Sequence, residues 1–344
     1  MVKILFVHAS FSSFVLRDLE ILKRNFDVSE IIVPDNAFAY GGTKFSRILS
    51  RMAKGFFFLK LITEILRSDL VYSWWANINS FYLVLLCKIV RRKSIIVVGG
   101  YEVAYVPEIR YGGLLSPMSR IRMRFILLNA SRVLVVSKSS RNEAQRFLKS
   151  PNIRLVHNGI DVERFQPQGE RNNAVITVGS ISEITLMRKG LKTFVEASRL
   201  LPDVPFLLIG KHDQSVNKLK EIAGPNVTFT GYVSDEELLS HYQTSKVYCQ
   251  LSAHEGFGVS LVEAMACGCV PVGTKRYAVP EVVGDTGFYA DYDDPESAAK
   301  TIEKALHYDI GDKGVKRIVN LFSLSKREGT LVNQISELMK QELR

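Results

Sequence analysis

Residues 248–281, YCQLSAHEGFGVSLVEAMACGCVPVGTKRYAVPE, decide the fold of this chain. An apolar run at 247–251 has the character of a strand. After the break at 254–258, apolar residues recur three and four positions apart, as they do on one face of a helix. Gly268 follows the last periodic residue, where a left-handed cap would end that helix, and a second apolar strand follows at 269–273. The stretch predicts a strand–loop–helix–strand unit, which is the repeating element of a parallel α/β sheet.

The loop before the predicted helix has the chemistry of an anion site. Gly256 and Gly258 let the backbone approach a ligand closely, and the first helical turn offers N–H groups whose dipole favours a phosphate. Glu255 precedes the glycines, and Glu263 follows eight positions later. Carboxylates that accept from sugar hydroxyls, next to amides that donate to a phosphate, suit a sugar nucleotide. The alternative is that Glu255 caps the helix and that Glu263 is a solvated helix residue.

The composition is typical of a globular protein with two domains. The chain has 344 residues, of which 47% are hydrophobic and 23% charged, and this length suits two cores. Apolar runs are too short for a transmembrane helix, and we expect the N-terminal MVKILFVHAS to be a core strand and not a signal peptide. The four cysteines lie in apolar segments without metal-ligand spacing, which favours buried thiols and a cytoplasmic protein.

The net charge of +10 is unevenly distributed. Residues 1–160 carry +14 and the remainder −4, so we expect the N-terminal half to meet an acidic partner. Residues 44–67, KFSRILSRMAKGFFFLKLITEILR, interleave basic with apolar and aromatic residues, as in a helix on an anionic membrane surface. The alternative is a helix that packs its apolar face in the core and solvates its basic face. The charge asymmetry favours a membrane-bound acceptor and a peripheral location at the inner face of a membrane.

The spacing from Glu255 to Glu263 resembles the E-x7-E motif of retaining glycosyltransferases with the GT-B fold. This group, glycosyltransferase family 4, includes glycogen synthases, sucrose synthases and phosphatidylinositol mannosyltransferases. Pro280-Glu281 with Gly287 resembles a downstream segment of the same group, and the resemblance is strongest over residues 155–295. It implies an α/β protein with two facing Rossmann-like domains and a deep interdomain cleft. It also implies transfer of a sugar from a nucleoside diphosphate to a glycan or lipid-linked acceptor, with retention and without a required metal or other cofactor.

The resemblance assigns roles to individual residues. Glu263 is expected to meet the ribose hydroxyls, and Glu255 with the amides of 256–258 to meet the donor sugar and its β-phosphate. Residues 178–190 resemble a motif whose Arg and Lys hold the pyrophosphate, with Ser180 where relatives usually have Arg; the alternative is a solvated basic loop. The implied catalytic residues are Glu255, Lys189 and Arg188, and the implied donor-binding residues are Glu263, Gly256, Phe257, Gly258, Val259, Ser180, Tyr232 and Val233, the last two near the base.

The N-terminal half supplies weaker candidates. Its first loop, at residues 8–13, lacks the glycine pair of many relatives, although serine hydroxyls and helix-start amides can hold a phosphate. His8 is a candidate general base or a structural residue. Gly99-Gly100-Tyr101-Glu102 ends a predicted strand, where relatives often carry a histidine that contacts the donor sugar; the alternative is that Glu102 stabilises a helix start. The candidate sugar or acceptor contacts are Ser10, Ser12, Gly100, Tyr101 and Glu102.

The segment His157-Asn158-Gly159-Ile160-Asp161 resembles the family's interdomain hinge. We therefore predict an acceptor domain at 1–168, a nucleotide-sugar domain at 169–325 and, by resemblance, a C-terminal helix at 326–344 that crosses back to the first domain.

Three other functions compete with sugar transfer. A dinucleotide oxidoreductase would need a G-x-G-x-x-G fingerprint after its first strand, and this chain has none. A non-catalytic sugar-nucleotide sensor or partner protein would explain Ser180 and the missing histidine. A nucleic-acid-binding protein would explain the basic half, but the chain has no recognisable binding module, so we predict that it does not bind nucleic acid.

Overall fold

A computed structural model of the protein describes residues 1–9, 11–33, 58–308 and 311–340. Its strands form two six-stranded sheets whose paired strands are all parallel, so the predicted α/β class with two facing Rossmann-like units is confirmed. The strands are β1 (Lys3–His8), β2 (Asp27–Ile32), β3 (Leu70–Trp74), β4 (Lys93–Val98), β5 (Arg132–Val135), β6 (Ile153–Leu155), β7 (Asn172–Val178), β8 (Phe206–Ile209), β9 (Val227–Gly231), β10 (Ser245–Gln250), β11 (Val270–Thr274) and β12 (Phe288–Ala290). Their order is β2-β1-β3-β4-β5-β6 in the N-terminal unit and β12-β11-β10-β7-β8-β9 in the C-terminal unit.

Helices connect these strands and cover the sheets. The strands predicted at 247–251 and 269–273 are present as β10 and β11, each within two residues of its expected bounds, because apolar runs bounded by polar or glycine residues mark fully buried parallel strands. The helices are α1 (Ser13–Asn25), α2 (residues 58–67), α3 (Ile78–Ile89), α4 (Pro117–Asn129), α5 (Lys138–Phe147), α6 (Glu183–Arg188), α7 (Leu191–Ser198), α8 (Val216–Ile222), α9 (Asp235–Thr244), α10 (Val259–Ala266), α11 (Val279–Val283), α12 (Pro295–Leu306), α13 (Gly311–Phe322) and α14 (Leu324–Lys340).

Each sheet has one point where the chain changes direction across it. In the N-terminal unit, β1 lies between β2 and β3, and in the C-terminal unit, β7 lies between β8 and β10. Parallel α/β sheets bind ligands outside the carboxyl ends of the strands at such a reversal, because the connections there leave the sheet on opposite faces. The topology therefore directs attention to the loops after β1, β3, β7 and β10.

The predicted strand–loop–helix–strand unit is β10, α10 and β11. Residues 261–266 of α10 are all buried, so the helix lies in the core rather than on the surface, as a helix that is apolar nearly all round should. Gly268 has φ +84°, which confirms the left-handed residue expected after the helix. In the GT-B-like arrangement, this helix begins between the two units.

The C-terminal helix α14 packs against the N-terminal unit through one buried charge cluster. Arg327 Nε donates to Asp18 Oδ1 at 2.5 Å and Arg327 Nη2 donates to Asp18 Oδ2 at 2.7 Å. Tyr72 and Trp74 also donate to Asp18 Oδ2, at 2.6 and 2.8 Å. Asp18 belongs to α1 and Tyr72 and Trp74 belong to β3, so the cluster fixes α14 to the N-terminal unit.

The basic segment at 44–67 lies largely outside the described residues, and only its end is seen as α2. There, Leu61 and Ile65 are buried among Leu5, Val71 and Leu83 of the N-terminal unit, which is the core-packing alternative for this part of the segment. The prediction for residues 44–57 falls outside the described part of the chain. Among the described residues, no helix is both long and apolar enough to cross a lipid bilayer.

Candidate functional site

A cavity of about 330 Å³ lies between the two units at the carboxyl ends of their strands. Its N-terminal wall comes from the loops after β3 and β4, and its C-terminal wall from the loop after β10 and the start of α10. This is the place that the reversal in strand order indicates. Of the predicted site residues, the cavity is lined by Tyr101, Lys189, Glu255, Gly256, Phe257, Gly258 and Val259.

The two walls approach each other through glycine backbones. A Cβ on Gly256 would lie 2.1 Å from the carbonyl oxygen of Gly99, and a Cβ on Gly100 would lie 2.7 Å from Cα of Gly256. Ser140 Oγ of α5 also donates to the Gly256 carbonyl at 3.3 Å. These positions therefore need glycine because any side chain would prevent the contact between the units. This requirement is separate from the close approach of a ligand that the sequence suggested.

The start of α10 is open to the cavity. Gly258 precedes the helix with φ +91°, a backbone conformation that favours glycine. Val259 and Ser260, the first two helical residues, line the cavity with Gly258. Their amides belong to the helical turn that has no intrahelical acceptor, so this wall offers donors and a positive dipole end to an anion.

Two cations and one carboxylate meet beside the helix start. Arg188 Nη1 lies 3.7 Å from Glu255 Oε2, and the Arg188 guanidinium lies over the Tyr111 ring at 5.2 Å. Lys189 Nζ donates to the Val178 carbonyl at the end of β7, at 3.1 Å. Desolvation lowers the pKa of Lys189, whereas the charge of Glu255 opposes that shift. An anion entering the cavity would restore the charge balance around this lysine.

A glycine makes room for Lys189. A Cβ on Gly179 would lie 2.6 Å from Lys189 Cδ. The resemblance of residues 178–190 to the pyrophosphate motif therefore has a steric basis at Gly179, because the Lys189 side chain packs directly against this glycine. Gly190, with φ +65°, then turns the chain from α6 into α7.

The structure separates Glu263 from the cavity wall. Glu263 lies on α10 and is 7% exposed, and its Oε1 is 3.4 Å from Arg17 Nη2 of α1. Burial raises the pKa of Glu263 to about 7, against the opposing effect of Arg17. Glu255 lines the cavity, whereas Glu263 does not and instead contacts Arg17 of the N-terminal unit.

Glu102 serves the backbone rather than the cavity. Its carboxylate accepts from the amides of Ala76, Gly99 and Gly100 at 3.1, 3.3 and 3.1 Å. Burial raises its pKa, and these amides oppose the shift. Glu102 therefore has a structural role rather than that of a ligand contact, because three backbone amides already donate to its carboxylate. Its neighbour Tyr101 does line the cavity and is half exposed.

The cavity lining does not include the predicted residues Ser180, Tyr232, Val233 and Ser12. Ser180 is exposed, and its carbonyl accepts from Thr185 Oγ1. Tyr232 is exposed with Lys211 Nζ over its ring at 4.7 Å, next to a half-buried Val233. Ser12 precedes α1, and Ser10 falls outside the described residues.

His8 has the environment of a structural histidine. It is buried at the end of β1, with its Nε2 3.0 Å from Glu30 Oε1. The His8 side chain lowers the pKa of Glu30 through that hydrogen bond. It is absent from the cavity lining, so the structure supports the structural alternative over the general base.

Sequence reasoning missed several residues of the cavity. Trp75 follows β3 with φ +69°. Its ring packs against Gly99, where a Cβ would lie only 2.3 Å from Cζ3 of the ring. Asn158 is 5% exposed, and its Oδ1 has no hydrogen-bond partner among the described residues. The signal for Trp75 was its position just past a strand. The residues that line the cavity without having been predicted are Phe14, Trp74, Trp75, Gly99, Tyr111, Asn158, Gln250 and Ser260.

Two histidine–glutamate pairs join the units beside this cavity. His254 Nε2 lies 3.0 Å from Glu143 Oε1 of α5, and His157 Nε2 lies 2.6 Å from Glu281 Oε1 of α11. Among the described residues, no group of three or more His, Cys, Asp or Glu has the arrangement of a metal site. The groups that can bind an anion are Lys189 and the start of α10, which line the cavity, and Arg188, which lies beside Glu255 and Tyr111.

Two family models match the chain. The model of glycosyl transferases group 1 matches residues 161–327, and that of glycosyltransferase family 4 matches residues 24–164. The first covers the site loops of the C-terminal unit, and the second covers most of the N-terminal unit.

Several curated proteins are similar in sequence. A phosphatidylinositol N-acetylglucosaminyltransferase component of Arabidopsis thaliana is 28% identical over 222 residues, which are 60% of this chain and 49% of that protein. The MMP α-(1→4)-mannosyltransferase of Mycolicibacterium hassiacum is 31% identical over 56% of this chain and 50% of its own length. The phosphatidyl-myo-inositol mannosyltransferase of Mycolicibacterium smegmatis is 30% identical over 49% and 46%. The chain spans about half the length of the curated relatives it matches.

Solved structures share the whole architecture. HepE of Anabaena, in complex with UDP and glucose, superposes with a TM-score of 0.78 at 18% identity, over 98% of this chain and 100% of that one. Sucrose-phosphate synthase of Thermosynechococcus elongatus gives 0.77 at 18% identity, over 100% and 99%. At this identity the likeness establishes the fold.

Proposed function

Because the chain belongs to the glycosyltransferases with the GT-B fold, we propose that it moves a sugar from a nucleoside diphosphate donor to an acceptor, with retention at the anomeric carbon. The observation that carries the proposal is that Lys189, Glu255 and the open start of α10 line one cavity, with Arg188 Nη1 3.7 Å from Glu255 Oε2. The cations and the helix amides match the diphosphate of such a donor, and the carboxylate matches the hydroxyls of its sugar.

The reaction needs negative charge to be stabilised on the leaving diphosphate. Lys189, Arg188 and the amides at Gly258 and Val259 are fixed before the substrate arrives, so they stabilise that charge at little reorganisation cost. Arg188 offers a forked donor and Lys189 a compact charge, and these cations take the part that a metal has in other transferases. In this proposal no metal is required.

Glu255 is the group that positions the donor sugar. Its Oε2 accepts from Gln250 Nε2 at 3.3 Å and lies near Arg188, which leaves acceptor capacity for sugar hydroxyls. With retention, the acceptor hydroxyl approaches from the same face as the departing diphosphate. The diphosphate oxygen that is released takes the acceptor proton, so the anomeric C–O bond breaks, a new one forms and no protein base is needed.

The acceptor is proposed to be a lipid-linked or membrane glycan. Tyr82, Ile89, Ile121 and Leu128 of α3 and α4 are exposed, and the basic residues Arg91 and Arg124, which are near them in sequence, are exposed as well. Apolar side chains with interspersed cations suit an anionic lipid surface. Two of the similar proteins carry phosphatidylinositol or phosphatidyl-myo-inositol in their names, which supports this class of acceptor.

Turnover with defined donors tests the proposal. We expect the purified chain to release nucleoside diphosphate from one of a panel of UDP-, GDP- and ADP-sugars when vesicles containing phosphatidylinositol are supplied. Glu255→Gln should lower that rate about a hundredfold, because a reacting sugar misplaced by about 1 Å reacts about that much more slowly, and the exposed Glu303→Gln should not. No release with any donor, or equal rates for the two variants, would contradict the proposal.

A sugar-nucleotide-binding protein without turnover is the second candidate. Ser180 occupies the position where the family usually has Arg, and its side chain lies outside the cavity. In that case donor would bind and stabilise the fold, whereas the same panel would show no release.

A further inference from the structure

Arg17 connects three parts of the molecule where α1 of the N-terminal unit meets α10 of the C-terminal unit. Its Nη2 lies 3.4 Å from Glu263 Oε1 on α10, and its Nη1 donates at 3.4 Å to the carbonyl of Gly159, in the segment that joins the units. Arg17 itself belongs to α1 of the N-terminal unit. Its side chain is 14% exposed and that of Glu263 is 10% exposed. A guanidinium from one unit is thus held against a carboxylate of the other.

The described residues give the Glu263 carboxylate one hydrogen-bond donor, and that donor is Arg17. A contact of 3.4 Å to one oxygen leaves the second oxygen and part of the first free to accept. This differs from Glu102, whose carboxylate is occupied by three amides of its own unit. Glu263 is therefore a buried acceptor that still has capacity for a ligand.

The charge around Glu263 depends on Arg17. Burial is the largest effect on its pKa and raises it to about 7, while Arg17 has the largest opposing effect. Arg164 also lowers it and Asp235 raises it, to smaller extents. The other titratable groups that face Glu263 are Tyr242, Tyr248 and Cys267, which are all buried. Desolvation is the main cause that raises the pKa of each group, and the charge of Glu263 raises it further.

The protonation state decides what Glu263 can bind. An ionised carboxylate accepts hydrogen bonds at both oxygens, whereas a protonated one has a donor of its own and accepts more weakly. The two hydroxyls of a ribose donate side by side and match the ionised form. The charge of Arg17, which belongs to the opposite unit, therefore helps to keep Glu263 ionised and able to accept two hydrogen bonds.

We propose that Arg17 is a positioning residue that readies Glu263 for the ribose hydroxyls of the donor, so that this subsite is complete only when the two units meet. The inference rests on the proposed function. It extends that function because it makes recognition of the nucleoside depend on a residue of the acceptor-binding unit. Separation of the units would remove the Arg17 charge from Glu263 and weaken the grip on the ribose.

Ligand titrations with Arg17 variants test this inference. UDP, GDP and ADP serve as probes, with binding followed from pH 6 to pH 9 by the fluorescence of Trp74 and Trp75, which line the cavity. Arg17→Gln should weaken binding of the accepted diphosphate about tenfold at pH 7 and move the pH of half-maximal affinity up by about one unit. Arg17→Lys should restore most of the affinity. Arg24→Gln, on the exposed end of the same helix where Arg24 pairs with Glu328, is the matched control and should change neither.

A ligand without the hydroxyls separates positioning from general damage. For the 2′,3′-dideoxy analogue of the accepted diphosphate, Arg17→Gln and the wild type should bind with equal affinity, since Glu263 has nothing to accept. Equal affinity and pH profile of Arg17→Gln and Arg24→Gln for the natural diphosphate would overturn this inference and leave the proposed function standing. The same loss with the dideoxy analogue would also overturn it, because Arg17 would then act on the fold or the phosphates. Failure of the wild type to bind any of the three diphosphates would overturn both.

Discussion

Two arginine–carboxylate pairs of this molecule show how a structural site differs from a binding site. In the Arg327–Asp18 pair, both side chains are at most 2% exposed, and four donors at 2.5 to 2.8 Å surround one carboxylate. In the Arg188–Glu255 pair, the side chains are about 15% exposed and the atoms are 3.7 Å apart. The first pair is saturated and fixes α14, whereas the second has unused acceptors and donors, and its Glu255 lines a cavity. Satisfied charges stabilise a fold, and incompletely satisfied ones are available to a ligand.

The saturated pair should be the more costly to break in stability. Asp18→Ala leaves the Arg327 guanidinium buried without its partner, so we expect the free energy of unfolding to fall by about 3–5 kcal/mol. Urea denaturation followed by circular dichroism measures this. Arg24→Ala, which removes the exposed pair with Glu328, should cost less than about 1 kcal/mol. Equal losses in the two variants would contradict the distinction between the sites.

The unsaturated pair should be costly in activity instead. Glu255→Gln should lower kcat by about a hundred- to a thousandfold, which corresponds to about 3–4 kcal/mol of transition-state stabilisation. Its free energy of unfolding should change by less than about 1 kcal/mol, because the contact with Arg188 is long and partly exposed. A large loss of stability with little loss of rate would place Glu255 with the structural pairs.

Burial of the ionised Glu263 carboxylate should lower the free energy of unfolding as the pH rises. Its pKa rises from 4.5 to about 7 on folding, so the stabilising contribution is complete below pH 4.5 and is lost as the pH rises through 7. The wild type should therefore lose up to about 3 kcal/mol over this interval relative to Glu263→Gln. Parallel stability–pH curves for the two proteins would contradict this, and Glu263→Gln should at the same time bind nucleoside diphosphate more weakly.

Asn158 should give the smallest effect and the sharpest distinction. Its buried Oδ1 has no partner among the described residues and belongs to a side chain in the cavity wall. Asn158→Ala should therefore leave the unfolding free energy almost unchanged and raise the KM for the donor about fivefold, the value of one hydrogen bond of about 1 kcal/mol. Donor-dependent kinetics beside denaturant titration measure both, and a drop in stability without a change in KM would count against a ligand-facing role.

The sequence predicts those parts of the molecule that local patterns determine. Strands such as β1 and β10 are apolar runs that end at polar or glycine residues, and α10 with Gly268 follows a helical period and a cap. The loop at 255–258 is recognisable because its glycines and carboxylate are adjacent in the chain. Residues close together in the sequence are enough to predict these elements.

Other features depend on residues that are distant in sequence. The contact of Arg17 with Glu263 joins α1 to α10, and Trp75 fits against Gly99 from another loop. Glu102 has the position of a ligand contact in sequence, but in three dimensions the amides of Ala76, Gly99 and Gly100 occupy it. No sequence period reports such pairs, so the full cavity could be assembled only from the fold.

Calorimetric titration of the wild type and of Lys189→Ala with UDP-, GDP- and ADP-sugars tests the central claim most directly, because Lys189 faces the diphosphate in this account. The account predicts that the wild type binds one class of sugar nucleotide, and that Lys189→Ala, with an unchanged circular dichroism spectrum, binds it at least about tenfold more weakly. Equal affinity for the two proteins, or no binding by the wild type to any of the donors, would contradict it.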